Sequence, residues 1–283
     1  MKKSINVWSF PFDWSLEKKL NLAKDAGFSG FEIDLSEEGP VNLKSTPKQL
    51  TKIRRQADAA GLQLTGLATG LYWGANPASA DKSVRLKAAE ILNRQINCAS
   101  ALGLDAILVV PGAVGVDFIP NSEVVSYELA FDRAQQFISA ALKTAEAKGV
   151  TLCLENVWNK FLLSPLEMRD FIDRFQSERV ASYFDVGNAL ITGYPQHWVN
   201  ILGKRIRRVH FKDFKRRVGT IEGFCDLLAG DVDWPEVVRA LAAIAYDGWV
   251  TAEMIPPVPF YKHGPEILIE NTSRAMDAIL TFR

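Results

Sequence analysis

Eight short, β-rich apolar segments alternate with longer segments of helical period from one end of the chain to the other, a pattern open to few folds. The strand-type segments run Ile5 to Phe10, Gly30 to Leu35, Leu62 to Ala68, Asp105 to Pro111, Thr151 to Val157, Val180 to Val186, Ile206 to Phe214 and Trp249 to Ile255. Between them stand helix starts. Thr46-Pro47-Lys48-Gln49 and Ser164-Pro165-Leu166-Glu167 have capping-box spacing, and Asp233-Trp234-Pro235-Glu236 opens a further amphipathic run. Gly27, Gly61, Gly103, Gly149 and Gly248 stand where helices should stop, because glycine enters the left-handed conformation without a Cβ penalty. Repeated βα units joined by short loops require a parallel sheet. Eight of them over 283 residues leave about 35 residues per unit and predict a closed (β/α)8 TIM barrel, an α/β fold with residues 1–283 as a single domain. The rival is an open doubly wound sheet with a cap domain. It is weakened because no glycine-rich phosphate loop follows an early strand and no Pro/Gly/Ser-rich linker marks a boundary.

Charge and composition narrow the function classes. Lys and Arg total 33 against 33 Asp and Glu, so no whole-molecule field draws in a polyanion, and no nucleic-acid partner is expected. The opening residues meet polar and turn-forming side chains too soon for a secretory signal, and no apolar run reaches about 18 residues. No membrane partner is expected, and the location is read as cytoplasmic. Cys98, Cys153 and Cys225 are too scattered for a disulfide framework or structural zinc, which fits a reducing compartment. A homo-oligomer remains open.

Long loops follow the predicted strands at Leu71 to Asp81, Val114 to Asn121 and Lys215 to Val232, the end of a barrel where active sites sit. Glu155, Asp185, His210 and Glu253 stand at the ends of the last four strands. Each follows an apolar residue, Leu154, Phe184, Val209 or Ala252, and alternation along a strand sends the two to opposite faces. The four polar side chains should therefore point into the barrel mouth. Any one of them alone would be read as satisfying a local hydrogen bond; four at equivalent strand ends point elsewhere. Three carboxylates brought together repel, and hard oxygens with one imidazole suit Mn²⁺, Mg²⁺ or Co²⁺ better than a closed zinc site. Glu32 is inward if Phe31 packs outward, and Lys212 and Arg208 share strand parity with His210. Arg216 near the mouth and Lys160 after Glu155 are candidates for an anionic substrate group. Trp8, Phe12, Trp14, Tyr72, Trp73 and especially Trp158 are candidates to stack on an apolar face of a substrate, and His197 and His263 read as surface residues.

Five stretches carry a family likeness: Gly27-Phe28-Ser29-Gly30-Phe31-Glu32, Leu154-Glu155-Asn156-Val157-Trp158-Asn159-Lys160, Phe184-Asp185-Val186-Gly187-Asn188, Val209-His210-Phe211-Lys212-Asp213 and Gly248-Trp249-Val250-Thr251-Ala252-Glu253. On these the chain resembles the xylose-isomerase-like TIM-barrel superfamily, in particular its sugar (phosphate) isomerase/epimerase branch with ketose 3-epimerases and L-ribulose- or L-xylulose-5-phosphate 3-epimerases. The resemblance implies that Glu155, Asp185, His210 and Glu253 bind one divalent ion, Mn²⁺ first and Mg²⁺ or Co²⁺ next. It also implies that Glu155 and Glu253 form the acid/base pair and that Arg216 matches the family's arginine six residues past the metal-binding histidine. The partner is then a small sugar or sugar phosphate. A metal-stabilised enediolate with a carboxylate on each side of its plane lets C3 lose a proton on one face and regain it on the other. Asn188 stands where the free-ketose epimerases usually have a histidine; it donates a hydrogen bond but does not titrate, which shifts the expectation toward a phosphorylated ketose. Aldose–ketose isomerisation and an inosose-dehydratase-like elimination use nearly the same site. An endonuclease IV-type nuclease needs several strand-end histidines, and a sugar-binding barrel without turnover has no need of clustered carboxylates.

Overall fold

The computed structural model describes residues 1–255 and 261–282. Eight parallel strands, β1 (Lys2–Asn6), β2 (Gly30–Asp34), β3 (Gln63–Ala68), β4 (Ala106–Val109), β5 (Thr151–Glu155), β6 (Val180–Asp185), β7 (Ile206–Phe211) and β10 (Trp249–Ala252), close into a barrel. Their order is β1-β10-β7-β6-β5-β4-β3-β2, and β8 (Asp213–Phe214) pairs antiparallel with β9 (Phe224–Cys225) outside it. Between the strands lie α1 (Leu16–Asp25), α2 (Pro47–Ala59), α3 (Lys82–Leu102), α4 (Tyr127–Lys148), α5 (Pro165–Asp173), α6 (Val186–Ala189), α7 (Pro195–Leu202), α8 (Trp234–Ala243) and α9 (Pro265–Thr281). The expected (β/α)8 barrel is the observed fold.

Local chemistry sets the ends of these elements. Thr46 and Gln49 form a reciprocal capping box, with the Gln49 N–H on Thr46 Oγ1 at 3.4 Å and the Thr46 N–H on Gln49 Oε1 at 2.7 Å. At α5 only half of the box forms: Ser164 Oγ accepts from the Glu167 N–H, while the Glu167 carboxylate accepts from the Leu163 N–H and the Tyr127 hydroxyl. Gly27, Gly61, Gly103 and Gly149 all have positive φ, as helix stops require. Gly248 does not. Ala245, at φ 56°, stands just past the end of α8, and Gly248 is needed for close approach, since a Cβ there would lie 2.7 Å from the Tyr246 ring. The first strand is also shifted from its expected place at Ile5 to Phe10. The Asn6 side chain accepts the Trp8 N–H at 2.7 Å, so the chain turns into a 3-10 helix at Val7–Ser9 and leaves the ladder.

The described chain groups into two compact units. One comprises residues 1–33, 54–65 and 184–283. Here Ile5, Val209, Phe211, Val250 and Ala252 are buried, as are Trp198, Trp234, Leu241, Ile269 and Met276 of the helices, and Phe211 meets Trp234 at 4.8 Å between ring centroids. Each of the larger aliphatic side chains and Phe211 contributes about 1.5–3 kcal/mol by leaving water. The opposite strand face is polar: Ser4 lies across from Thr251, and Asn6 from Glu32. The second unit comprises residues 34–53 and 66–183. Its core includes Leu108, Leu152 and Leu154 and an edge-to-face cluster of Phe131, Phe161 and Phe171. Tyr72 belongs to this core. Its hydroxyl donates to Gln95 Oε1 at 2.9 Å, its ring packs on Phe137, and burial pushes the phenol well up. A stacking role on a sugar is thereby corrected, because the ring is only 2% exposed.

Candidate metal centre

The site is built from strand ends whose apolar neighbours anchor the backbone. Val209 and Phe211 are fully buried and flank His210, which pairs in register with Thr251 of β10. That parity turns the imidazole to the polar face. Its Nε2 lies 2.8 Å from Glu32 Oε2, and both side chains are wholly buried. Asn6 Nδ2 donates to the same Glu32 oxygen, and because Asn6 Oδ1 already holds the Trp8 N–H, the orientation of the amide is determined. Glu32 is therefore engaged by His210 and Asn6. A carboxylate on Nε2 leaves Nδ1 as the nitrogen facing the remaining acids.

Those acids come from three strand ends. His210 Nδ1 is 3.4 Å from Glu253 Oε2 and 3.9 Å from Asp185 Oδ2. Asp185 also caps α6, its Oδ1 accepting the Asn188 N–H at 2.7 Å, which leaves Oδ2 for the cluster. Lys212 reaches the same oxygens, with Nζ 3.1 Å from Asp185 Oδ2 and 2.5 Å from Glu253 Oε2. Glu155 ends β5 buried, and one ligand atom from each of Glu155, Asp185, His210 and Glu253 lies within 4.8 Å of all the others. Burial opposes the charge on Glu253, but Lys212 and His210 outweigh it and bring the carboxyl down to about 2. Asp185 is pushed the other way, because burial raises it by more than the Lys212 ammonium lowers it and the Glu253 charge adds to the rise. Three carboxylate oxygens and an imidazole nitrogen so spaced form a donor set that fits one divalent cation.

The other expected contact residues separate into two groups. Lys212 lines, with Glu253, Phe10, Phe224, Met254 and Leu268, a cavity of about 170 Å³. Asn188 is buried beside Asp185. Arg216 is instead exposed: its N–H is held by Asp231 Oδ2 at 2.8 Å and its guanidinium lies over the Tyr194 ring at 4.9 Å. Lys160 is exposed and paired with Asp117 at 2.5 Å, and Trp158 is half-buried. Cys225 also borders the cavity, but burial and then Asp213 push its thiol up to about 11, so it is no nucleophile. His197 and His263 are exposed, as expected.

Two residues escaped the sequence reading. Asn6 was hidden inside a strand placed three residues too far along. Asp213 enters the sequence reading only as the last residue of the stretch Val209 to Asp213, with no role of its own, yet its buried carboxylate accepts the N–H groups of Phe214, Leu228 and Val232 and the indole N–H of Trp234. The backbone at Gly230 comes so close that a Cβ would lie 2.1 Å from Asp213 Oδ1. The usable signal was an acid at a strand end, followed by a long loop closing on Asp233-Trp234-Pro235.

A family profile described as xylose isomerase-like TIM barrel matches residues 20–271. An L-ribulose 3-epimerase of Mesorhizobium japonicum is 26% identical over 274 residues, 95% of this chain and 82% of that one. A 2-epi-5-epi-valiolone 7-phosphate 2-epimerase of an Actinoplanes species is 26% identical over 199 residues, 69% of this chain and 66% of that one. The solved structure of a D-psicose 3-epimerase from Clostridium cellulolyticum H10 superposes with a TM-score of 0.82 at 18% identity, covering 100% of this chain and 99% of the other.

Proposed function

The chain belongs to the xylose isomerase-like TIM-barrel family, and from that premise we propose that it is a metal-dependent sugar or sugar-phosphate isomerase/epimerase, first of all a ketose 3-epimerase. The observation that carries the reading is the buried set Glu155, Asp185, His210 and Glu253 at four strand ends. The similarity to an L-ribulose 3-epimerase over 95% of this chain supports the substrate class.

The four residues would hold one divalent ion, Mn²⁺ by preference with Mg²⁺ or Co²⁺ admissible, which when bound stabilises negative charge developing on substrate oxygens. Glu155 and Glu253 then act as the proton acceptor and donor on opposite sides of the substrate. Asp185 is positioned for this by the Asn188 N–H, and His210 by Glu32. Lys212, the side chain of Asn188, Trp158, Lys160 and Arg216 are assigned to substrate contact, with Lys212 at the wall of the cavity. Lys212 and His210 keep the Glu253 carboxyl ionised at neutral pH, so it carries no proton of its own when it meets the substrate.

The test is to incubate metal-loaded protein with ketopentoses, ketohexoses and their terminal phosphates in D₂O and follow deuterium by NMR. Deuterium at C3 together with the C3 epimer is the expected result. Uptake at C1 would replace the assignment with an aldose–ketose isomerase, a keto-deoxy product with a dehydratase, and no uptake from any sugar would overturn it.

A further inference from the structure

Lys212 occupies an unusual place for a cation. Its Nζ is 2.5 Å from Glu253 Oε2 and 3.1 Å from Asp185 Oδ2, oxygens of two carboxylates of the donor set, and the side chain is only 6% exposed. An ammonium at that distance and a divalent ion on the same two oxygens would repel strongly, because little water screens charges so deeply buried. They cannot share the position. We propose that Lys212 is the internal counter-cation of the carboxylate cluster: it holds Asp185 and Glu253 together until a divalent ion displaces it, and the displaced ammonium turns to the cavity wall.

Three features support this. Lys212 stands just past the end of β7, between the barrel strand and β8, beside the strand-end carboxylates. The Phe224 ring lies 5.0 Å from Nζ and lines the same cavity, which gives the ammonium an aromatic face to rest on after it leaves the carboxylates. The backbone here is held in place, since the adjacent Asp213 is tied by four N–H groups and a Cβ at Gly187 would lie 2.8 Å from the Lys212 carbonyl oxygen. Displacement is therefore a side-chain motion. Its consequence is a positive charge delivered to the cavity only when the metal is in place, where an anionic or electron-rich substrate oxygen would meet it.

The inference rests on the metal-site part of the proposed function, and its test contains no sugar, so the two fail separately. Mn²⁺ is titrated into the full-length protein and its Lys212→Met and Lys212→Gln variants, with free Mn²⁺ read by EPR and thermal unfolding followed with and without the ion. Both neutral variants should bind Mn²⁺ roughly tenfold or more tightly than the wild type, and their unfolding temperature should rise more on loading. A lysine with a purely structural role would leave affinity unchanged or lower it on removal. Should a variant fold only with metal, the rate of Mn²⁺ release to a chelator is compared instead, and slower release than wild type is expected. Equal or weaker Mn²⁺ binding, or equal or faster release, in both variants would overturn the proposal.

Discussion

His210 Nε2 and Glu32 Oε2 lie 2.8 Å apart with no solvent access to either side chain, and this contact decides which imidazole nitrogen faces the acids. Glu32→Gln keeps the shape but exchanges a charged acceptor for a neutral amide whose donor group can face the ring. Metal affinity should fall by roughly 10- to 100-fold, as for other carboxylate–histidine pairs behind a metal. Isothermal titration with Mn²⁺ measures it, and unchanged affinity would show that Glu32 has no hold on the ring.

Glu155→Gln and Glu253→Gln should each reduce C3 deuterium exchange by about 10²–10⁴, the usual contribution of a positioned acid or base. Deuterium uptake by the metal-loaded variants is the measurement. Full exchange in Glu253→Gln would end the two-carboxylate scheme.

Chelation should abolish exchange and also destabilise the fold, because an ion bound only by the native state at 100 times its dissociation constant adds about 2.7 kcal/mol. Calorimetry before and after EDTA treatment, with readdition of Mn²⁺, checks this. An unmoved transition would contradict a metal held by this cluster.

Asp213→Ala leaves the N–H groups of Phe214, Leu228, Val232 and Trp234 without their acceptor. A loss of about 3 kcal/mol is expected, since even one bond to a charged acceptor contributes about 1.5–3 kcal/mol. Amide exchange should accelerate at Leu228 and Val232 above all, and denaturant unfolding gives the global figure.

Asn188→His places the histidine expected of free-ketose epimerases three residues beyond the Asp185 cap. Activity should shift from phosphorylated toward free ketoses, read as the ratio of kcat/KM values on matched pairs. An unaltered ratio would mean that residue 188 does not select the substrate.

The parts legible in the sequence depend on short-range chemistry. Alternation of Val209, His210 and Phe211 already specified that the imidazole would turn away from the helices, and the glycines at 27, 61, 103 and 149 marked helix ends because few other residues take positive φ cheaply. The failures occurred where a single polar contact overrode a periodic pattern. Asn6 ended β1 early by accepting the Trp8 N–H, and Gly248 was required by the Tyr246 ring rather than by a helix stop. Tyr72 looked like a mouth residue by position alone, but a buried amide, Gln95, offered its hydroxyl an acceptor inside the core.

Sequence by itself determined the barrel and the four strand-end ligand candidates, because strand period and unit length act within each βα repeat and need no knowledge of distant residues. Only the tertiary structure decided how those candidates are used: which histidine nitrogen Glu32 takes, that Lys212 sits between Asp185 and Glu253, and that Arg216 lies on Tyr194. These are choices between partners far apart along the chain. They depend on distances that appear only after the strands have closed, and on a local dielectric set by burial, neither of which is written in the order of residues.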